Sequence, residues 1–334
     1  MKKTNIGLIL GLLFVSLLLV SCAQEIDTFS AQQTDTTPIR IGWLVSWGTQ
    51  GQIAQTLKHT DILEKNSLQG EFKGFSYGGP LAEAAIAGDV DVIFSADIPA
   101  YLVLSKSDEW DIVARLMHFK AGIIVPMNSE INSLQDLNGK TLSVPFGSGP
   151  HVHGLRALEK EGLKDKVTLK NLDILEQSAI IESGNWGDID AFGSWDPTIS
   201  IFEEKGKVRI LQELRPQTLV TMSRKFIREH PDAAKNFLKS YREAYFYYAQ
   251  HQDEANTWYA KEARIKFDPS ILDISASLEP NLKAKTIDEI NIDIPQEDVE
   301  QMKQVISSAK AMGIIQKDIA IEDHVNRELL DSIK

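Results

Sequence analysis

Apolar segments of strand length alternate with helical segments from Ile39 onward, and this alternation limits the possible folds more than any other feature. IRIGWLVS predicts a strand and a loop, QIAQTLKHTDILEKN a helix, and FKGFSY a second strand. Pro80 then suits a first helical position and Gly88 the position just past a helix end, before a buried strand at 90–94. Strands that alternate with helices predict α/β layers around a mostly parallel sheet.

The alternation continues for more than a hundred residues and then gives way to helices. Strands are predicted at DIVARLMHF, GIIVPMN, TLSVPF, VTLKNLD, DIDAFGSWD, VRILQEL and TLVTMS. A single helical turn is predicted between Ser133, as its cap, and Gly139, as its end. HVHGLRALEKEGL and the segment that starts at Pro231 predict helices. The aromatic residues of the second helix fall at helical spacing, which indicates a core face rather than a ligand site: Ala234, Phe237, Leu238, Tyr241, Tyr245 and Tyr248.

The N-terminus has the pattern of a secretory signal peptide followed by a lipidation site. Lys2 and Lys3 precede an apolar run at 6–20, which is shorter than the roughly 20 residues of a membrane span. Cys22 follows Leu-Val-Ser and is the only cysteine, so its thiol lies where a diacylglycerol group would be attached. We expect a signal peptide at 1–21 and a lipid-anchored polar tether at 22–38, which would hold the protein on the extracytoplasmic side of a cell membrane. The alternative is an uncleaved membrane anchor.

Length indicates the number of domains, and charge limits the kinds of partner that the chain can bind. Removal of the first 21 of the 334 residues would leave 313, enough for about two domains, and would take the net charge from −12 to about −14 because both lysines are lost. No block of basic residues occurs, which argues against nucleic acid as a partner, since a phosphate backbone requires a positive surface. No catalytic zinc motif is present, and we expect neither a metal nor a cofactor.

Six segments in order make the chain resemble the solute-binding proteins of ABC importers in the nitrate, sulfonate and taurine class. The resemblance runs from about Ile39 to the C-terminus, and the predicted lipid anchor agrees with it, because such proteins stay near their permease. The segments that carry it are IRIGW, GGPLAEAAIAGDVDVIFSADIPA, GIIVPMNSEINSLQDLNGKTLSVPFGSGPH, RALEKEGL, DIDAFGSWDP and FIREHPDAAKNFLKSY.

The resemblance implies a periplasmic-binding-protein fold of type II, with two α/β lobes, each a mixed and mostly parallel sheet flanked by helices. Lobe one would comprise 39–118 and 218–334, including the C-terminal helices, and lobe two 119–217. Two crossing strands near 117–121 and 215–220 would form the hinge, and ligand binding would close the cleft. The implied partners are a cognate ABC permease and its ATPase, and we expect a monomer.

The stretch PFGSGPHVHG at 145–154 is the most unusual local sequence. His151 and His153 lie two residues apart, so on a helix they point about 200° apart and cannot easily share a metal ion. No lysine followed by Ser/Thr completes a phosphate loop. The resemblance instead implies a ligand-binding loop, whose matching positions are Gly147, Ser148, Gly149 and His151. Pro150 departs from the family pattern, and His153 lies outside it and is expected to be structural.

The other candidate ligand-binding residues follow predicted strands. Helix starts gather at the carboxyl ends of strands in α/β sheets, and their unpaired N–H groups can hold an anion without arginine or lysine. Glycine at such a start lets the backbone approach a ligand. Asp97 could instead be only a helix cap, and Trp195 only packing between the lobes. The candidates are Ser46, Trp47, Tyr77, Gly78, Gly79, Ser95, Asp97, Trp195 and Asp196.

The residue types suggest a zwitterion such as an aminosulfonate. Helix starts favour a negative group, Asp97 and Asp196 a positive group or a hydroxyl, and tryptophan a cation or an apolar surface. Nitrate, bicarbonate, an aromatic acid or a thiamine-related pyrimidine are alternative ligands. A pyrimidine-forming enzyme on the same fold is the alternative of another class, but it would need a histidine and cysteine site, and the mature chain has no cysteine beyond the predicted lipidation site Cys22.

Overall fold

The computed structural model describes residues 36–264 and 268–333. The predicted signal peptide, Cys22 and most of the predicted tether lie outside the described residues. Within the described ranges, no helix has both the length and the apolar character needed to cross a bilayer.

The strands within these ranges are β1 Thr37–Leu44, β2 Leu68–Phe75, β3 Val92–Ala96, β4 Trp110–Arg115, β5 Ala121–Pro126, β6 Thr141–Ser143, β7 Thr168–Lys170, β8 Ala191–Trp195, β9 Val208–Leu214 and β10 Thr218–Ser223. Each of them overlaps a segment predicted from the sequence, but several ends are shifted by two to four residues: β2 starts four residues before the predicted FKGFSY, and β3 was predicted at 90–94.

The helices flank these strands and make up most of the C-terminal third. They are α1 Gln50–His59, α2 Ile62–Lys65, α3 Gly78–Ile86, α4 Asp97–Lys106, α5 Gly149–Lys160, α6 Ile174–Ser183, α7 Thr198–Glu204, α8 Arg224–Glu229, α9 Pro231–Gln250, α10 Gln252–Glu262, α11 Ile271–Ala276, α12 Gln296–Ala311 and α13 Arg327–Asp331, with 3₁₀ turns at Leu134–Leu137, Pro280–Lys283, Ile287–Glu289 and Ile321–His324.

The strands form two five-stranded sheets with the same topology. The first has the order β2-β1-β3-β10-β4 and the second β7-β6-β8-β5-β9. In each sheet the strand that arrives from the other sheet, β10 or β5, is antiparallel to both neighbours, while the pairs formed by β1 and β6 are parallel. The predicted fold of two lobes with mixed, mostly parallel sheets is therefore confirmed. We call the half containing the first sheet lobe one and the half containing the second lobe two.

The two segments that cross between the sheets are bonded to each other. The amide of Leu116 donates to the carbonyl of Thr218 at 2.9 Å, and the amide of Met117 donates to the Thr218 hydroxyl at 2.6 Å. That hydroxyl donates in turn to the Met117 carbonyl. The side chain of Thr218 thus fixes the spacing of the crossing segments where they leave lobe one.

Glu279 fastens the first crossing segment to the C-terminal part of the chain. Its carboxylate accepts two bonds from the Arg115 guanidinium, at 2.9 and 3.0 Å, and one from the His118 amide at 2.6 Å. The side chain of Glu279 is fully buried and that of Arg115 is 13% exposed. Such bidentate contacts hold a planar guanidinium in one orientation. The hydroxyl of Tyr241 on α9 adds bonds to the carbonyls of Arg115 and Leu116.

The aromatic residues of α9 belong to the core, as predicted. Phe237, Tyr241, Tyr245 and Tyr248 are all fully buried. They pack within the main hydrophobic cluster, and a smaller cluster lies in lobe two around Phe192.

Three local predictions are corrected by the structure. Helix α3 begins at Gly78, so Pro80 is its third residue and not its first. The helix predicted over QIAQTLKHTDILEKN is interrupted, because α1 ends at His59 and α2 starts at Ile62. Helices α6 and α7 were not predicted from sequence. The start of α6 carries a capping box in which Asp173 and Glu176 bond each other's backbone, a signal that sequence alone contains.

Candidate ligand-binding cleft

Loops and helix starts from both lobes converge on one small space. Lobe one contributes residues that follow β1, β2 and β3, lobe two contributes the start of α5 and the end of β8, and the first crossing segment contributes Phe119. The free space between these residues measures about 20 Å³, which is room for about one water molecule. Any organic ligand therefore requires the lobes to separate. The lining residues are Leu44, Trp47, Gly78, Ala96, Pro99, Phe119, Ser148, Gly149, Pro150 and Trp195.

Glycines allow close packing around this space, both between the lobes at Gly149 and within lobe one at Gly78. A methyl group added at Gly149 would lie 3.2 Å from Pro216 and 3.6 Å from Ala96. One added at Gly78 would overlap the ring of Pro99 at 2.1 Å. A side chain at either position would push apart the surfaces that form the cleft.

Aromatic rings form the walls. Trp47 meets Phe119 edge to face, with ring centroids 4.6 Å apart and planes at 66°. Trp47 and Trp195 are 2% and 4% exposed, and the indole Nε1 of each is buried without a hydrogen-bond partner in the described protein. A buried donor without a partner costs stability, so these two N–H groups are candidates to bond a ligand.

Two helix starts border the cleft differently. No side chain caps α3 at Tyr77, whereas at α5 the Ser148 hydroxyl accepts a bond from the His151 amide at 3.3 Å. Pro80 and Pro150 each lack an N–H, so each helix start loses one donor. The bond to Ser148 also occupies the His151 amide, which leaves α5 with fewer free donors than α3. Together Gly78 and Gly149 bring two partly positive helix ends to the same space.

His151 is a neutral ring beside the cleft. Its Nδ1 accepts a bond from the Gly147 amide at 3.2 Å, and its ring stacks on Phe146 at 4.6 Å between centroids. Burial lowers the pKa of His151 to about 4. The ring therefore carries its single proton on Nε2 at neutral pH, which makes it a donor.

The carboxylate of Asp97 is fully occupied by protein partners. It accepts bonds from the amides of Ile98 at 2.8 Å and Gln217 at 3.2 Å, and it contacts Nε2 of His153 at 2.7 Å. Asp97 begins α4 in lobe one and His153 lies on α5 in lobe two, so this contact joins the lobes. His153, predicted to be structural, has this role.

Asp196 is likewise satisfied within the protein. It accepts bonds from the amide and the hydroxyl of Ser200, at 2.9 and 3.1 Å. Burial raises its pKa to about 6, against the opposing effect of Lys120.

The predicted site residues therefore divide into two sets. The first set lines this small space and comprises Trp47, Gly78, Ser148, Gly149 and Trp195. The others lie in the same loops without lining it. Among them, Ser46 bonds the Ser76 carbonyl, and Ser95 is buried with its hydroxyl unpaired in the described residues. The remaining members of this second set are Tyr77, Gly79, Asp97, Gly147, His151 and Asp196.

Sequence reasoning missed half of the lining. Phe119 is the most important omission, because it faces Trp47 directly. A signal was available, since Phe119 lies inside the segment predicted to cross between the lobes, and crossing segments border the cleft. The other missed residues are Leu44, Ala96, Pro99 and Pro150.

Larger depressions also exist on the surface. One of about 680 Å³ runs past His153, Arg156 and Arg215. It is wide open and contains no aromatic wall or helix start among its lining residues. In the described ranges, no group of three or more His, Cys, Asp or Glu side chains is placed to hold a metal ion.

Comparison with known families assigns the chain to one of them. The sequence profile of the NMT1/THI5-like family matches residues 80–255, which is more than half of the chain. The chain belongs to the NMT1/THI5-like family.

Relatives of this NMT1/THI5-like chain include named binding proteins. The taurine-binding periplasmic protein of Escherichia coli (strain K12) is 29% identical over 222 residues, which cover 64% of this chain and 66%, just under two thirds, of that protein. A provisionally named aliphatic sulfonates-binding protein of Bacillus subtilis (strain 168) is 26% identical over 278 residues, covering 81% of this chain and 80% of the relative.

Solved structures confirm the fold. The periplasmic aliphatic sulphonate binding protein SsuA from Escherichia coli superimposes with a TM-score of 0.72 at 21% identity, covering 88% of this chain and 99% of that chain. The fold of this NMT1/THI5-like chain is thus that of a periplasmic binding protein, as the resemblance implied.

Proposed function

We propose that this protein is the extracytoplasmic solute-binding protein of an ABC importer and that it carries a small organosulfonate to its permease. The observation that carries the proposal is the meeting of two helix starts and two unpaired indole N–H groups in an aromatic cleft between the two lobes. The names of the relatives point to the same class of ligand.

A sulfonate fits the donors of the cleft. Its three oxygens share one negative charge that persists at any physiological pH, and helix N-termini bind such groups through backbone N–H bonds. The lining includes no arginine or lysine. The start of α3 and the Nε1 atoms of Trp47 and Trp195 would supply the donors instead.

Lipid anchoring completes the proposed role. A diacylglycerol group on Cys22 would keep the protein at the membrane that holds its permease and ATPase. Membrane fractionation with a labelled fatty acid tests this part. Cys22→Ser should abolish labelling and release the protein, and labelling of that variant would contradict the assignment.

Binding rather than catalysis accounts for the residues at the cleft. The lining combines apolar side chains with backbone donors, and the single cysteine of the chain lies in the proposed anchor. A pyrimidine-forming activity that depends on cysteine would have no free thiol in the mature chain, because the thiol of Cys22 would carry the lipid.

Calorimetric titration with alkanesulfonates tests the ligand. The double variant Ser148→Ala/Gly149→Val should abolish binding, because it removes the α5 cap and pushes a side chain towards Pro216. Its matched control is Ser178→Ala/Gly154→Ala, which removes a local hydroxyl bond on α6 and adds a methyl group in open space. The control should bind normally. Absence of heat with every organosulfonate would refute the proposed ligand class, and unchanged affinity in the double variant would move the site elsewhere.

A further inference from the structure

We infer, building on the proposed function, that the cleft selects organosulfonates whose body is uncharged and apolar, and that it discriminates against the ammonium group of taurine. The lack of an available carboxylate and the apolar character of the cleft walls both support this inference.

Among the residues that the structure describes around the cleft, no carboxylate is available for an ammonium group. None of the residues that line the cleft is acidic. The two nearby carboxylates, Asp97 and Asp196, are 0% and 1% exposed, and both already accept hydrogen bonds from the protein. Because both are buried and neither lines the cleft, either one would have to leave its present position to reach a ligand. That move would break those bonds, including the contact between Asp97 and His153 that joins the lobes.

Neutral acceptors are also scarce. The hydroxyl of Ser148 is the one side-chain oxygen among the described lining residues, and it already accepts a bond from the amide of His151. An ammonium group has three donors that water satisfies before binding. Burying it against this lining would leave those donors unpaired, which is unfavourable.

The aromatic rings compensate only in part. Cation–π attraction requires the cation to lie over a ring face. In the contact between Trp47 and Phe119, the edge of one ring covers a face of the other. That face is therefore not open to a cation. The same rings, with Leu44 and Pro99, offer apolar contact to a hydrocarbon without any loss of hydration.

Taurine and 1-propanesulfonate provide a matched pair for the test. They contain the same number of non-hydrogen atoms and differ in that an ammonium group replaces a methyl group. We expect 1-propanesulfonate to bind the full chain at least about tenfold more tightly than taurine, since one buried methyl group alone is worth about fourfold. Chain extension to 1-pentanesulfonate should tighten binding further.

The measurement is displacement calorimetry of the full chain in detergent. The buffer must be Tris chloride, because many common buffers are themselves sulfonates. Phe119→Asp should reverse the preference by placing a carboxylate at the wall, and Phe119→Ala should weaken 1-propanesulfonate while leaving taurine nearly unchanged. The matched control is Tyr247→Ala on α9, an aromatic residue outside the cleft whose hydroxyl bonds Glu254. It should leave the preference intact.

The outcomes separate the two proposals. If no organosulfonate binds, the proposed function itself fails. If taurine binds as tightly as 1-propanesulfonate or more tightly, the sulfonate role stands and the selectivity is refuted. Tighter binding of N,N,N-trimethyltaurine than of 1-propanesulfonate would also refute it, because the rings would then act as a cage for a cation. A tenfold preference for 1-propanesulfonate, lost or reversed in Phe119→Asp, would support it.

Discussion

Replacement of His153 by phenylalanine tests whether a single contact between the lobes controls ligand affinity. The Nε2 atom of His153 lies 2.7 Å from Oδ2 of Asp97, and the two side chains are 8% and 0% exposed. The variant keeps a ring on α5 and removes the polar atom. In the closed form Oδ2 would then keep only the Gln217 amide at 3.2 Å. In the open form water would solvate both groups.

The expected loss follows from the type of bond. A buried hydrogen bond to a charged group contributes about 1.5–3 kcal/mol. Since only the closed form contains this bond, its loss shifts the closing equilibrium by the same amount. Where the open form predominates without ligand, apparent affinity falls in proportion to the closed population. We therefore expect His153→Phe to weaken sulfonate binding by roughly 10- to 100-fold.

The assay combines calorimetric titration with the radius of gyration from solution scattering, with and without ligand. A matched control is His324→Phe. His324 is also a buried histidine, and its Nδ1 bonds the Trp110 carbonyl at 2.8 Å within lobe one. That control should lower the melting temperature without a comparable loss of affinity. A double-mutant cycle with Asp97→Asn isolates the pair itself. Affinity within twofold of the original in His153→Phe, at unchanged compaction, would refute the role of this contact in closure.

Two further predictions concern stability. Burial raises the pKa of Asp196 to about 6 from the ordinary value of 3.8, so its favourable contribution is fully present below pH 4 and is lost as the pH rises through 6. Urea unfolding at pH 7 should therefore show Asp196→Asn stabilised, by up to about 3 kcal/mol, and equal or lower stability would contradict the stated cause. Glu279→Gln should lower the free energy of unfolding by about 3–5 kcal/mol because it leaves the Arg115 guanidinium without its charge partner. A thermal shift indicating less than about 1 kcal/mol would show that Arg115 finds another partner.

The fold was largely predictable because its signals are local. Glycine and proline at helix ends and alternating apolar segments mark most of the strands and helices. The Gly-Ser loop before α5 also places Ser148 and Gly149 at the cleft. Helix α6 could also have been predicted, because Asp173 and Glu176 form a capping box at its start. It was missed because predicted strands lie on either side of it.

The chemistry of the carboxylates could not be predicted in the same way. Asp97 follows a strand in the position of a ligand contact, yet its partner His153 is 56 residues away and in the other lobe. Asp196 bonds Ser200 locally, but it is 1% exposed and does not line the described cleft, which its local sequence does not indicate. An aspartate that caps a helix and one that binds a ligand have the same local sequence, and the tertiary partners distinguish them.

Because the first crossing segment is attached to lobe one, we expect a ligand to meet the parts of the cleft in a fixed order. Glu279, Tyr241 and Thr218 hold this segment as far as His118, so bending falls to the residues beyond it. We expect Phe119 to lie at that pivot and to move little as the cleft opens. We expect a ligand to reach this ring first, with lobe two swinging over it afterwards. Changes at Phe119 should then alter the association rate, whereas changes at Trp195 should mainly alter how long the ligand stays.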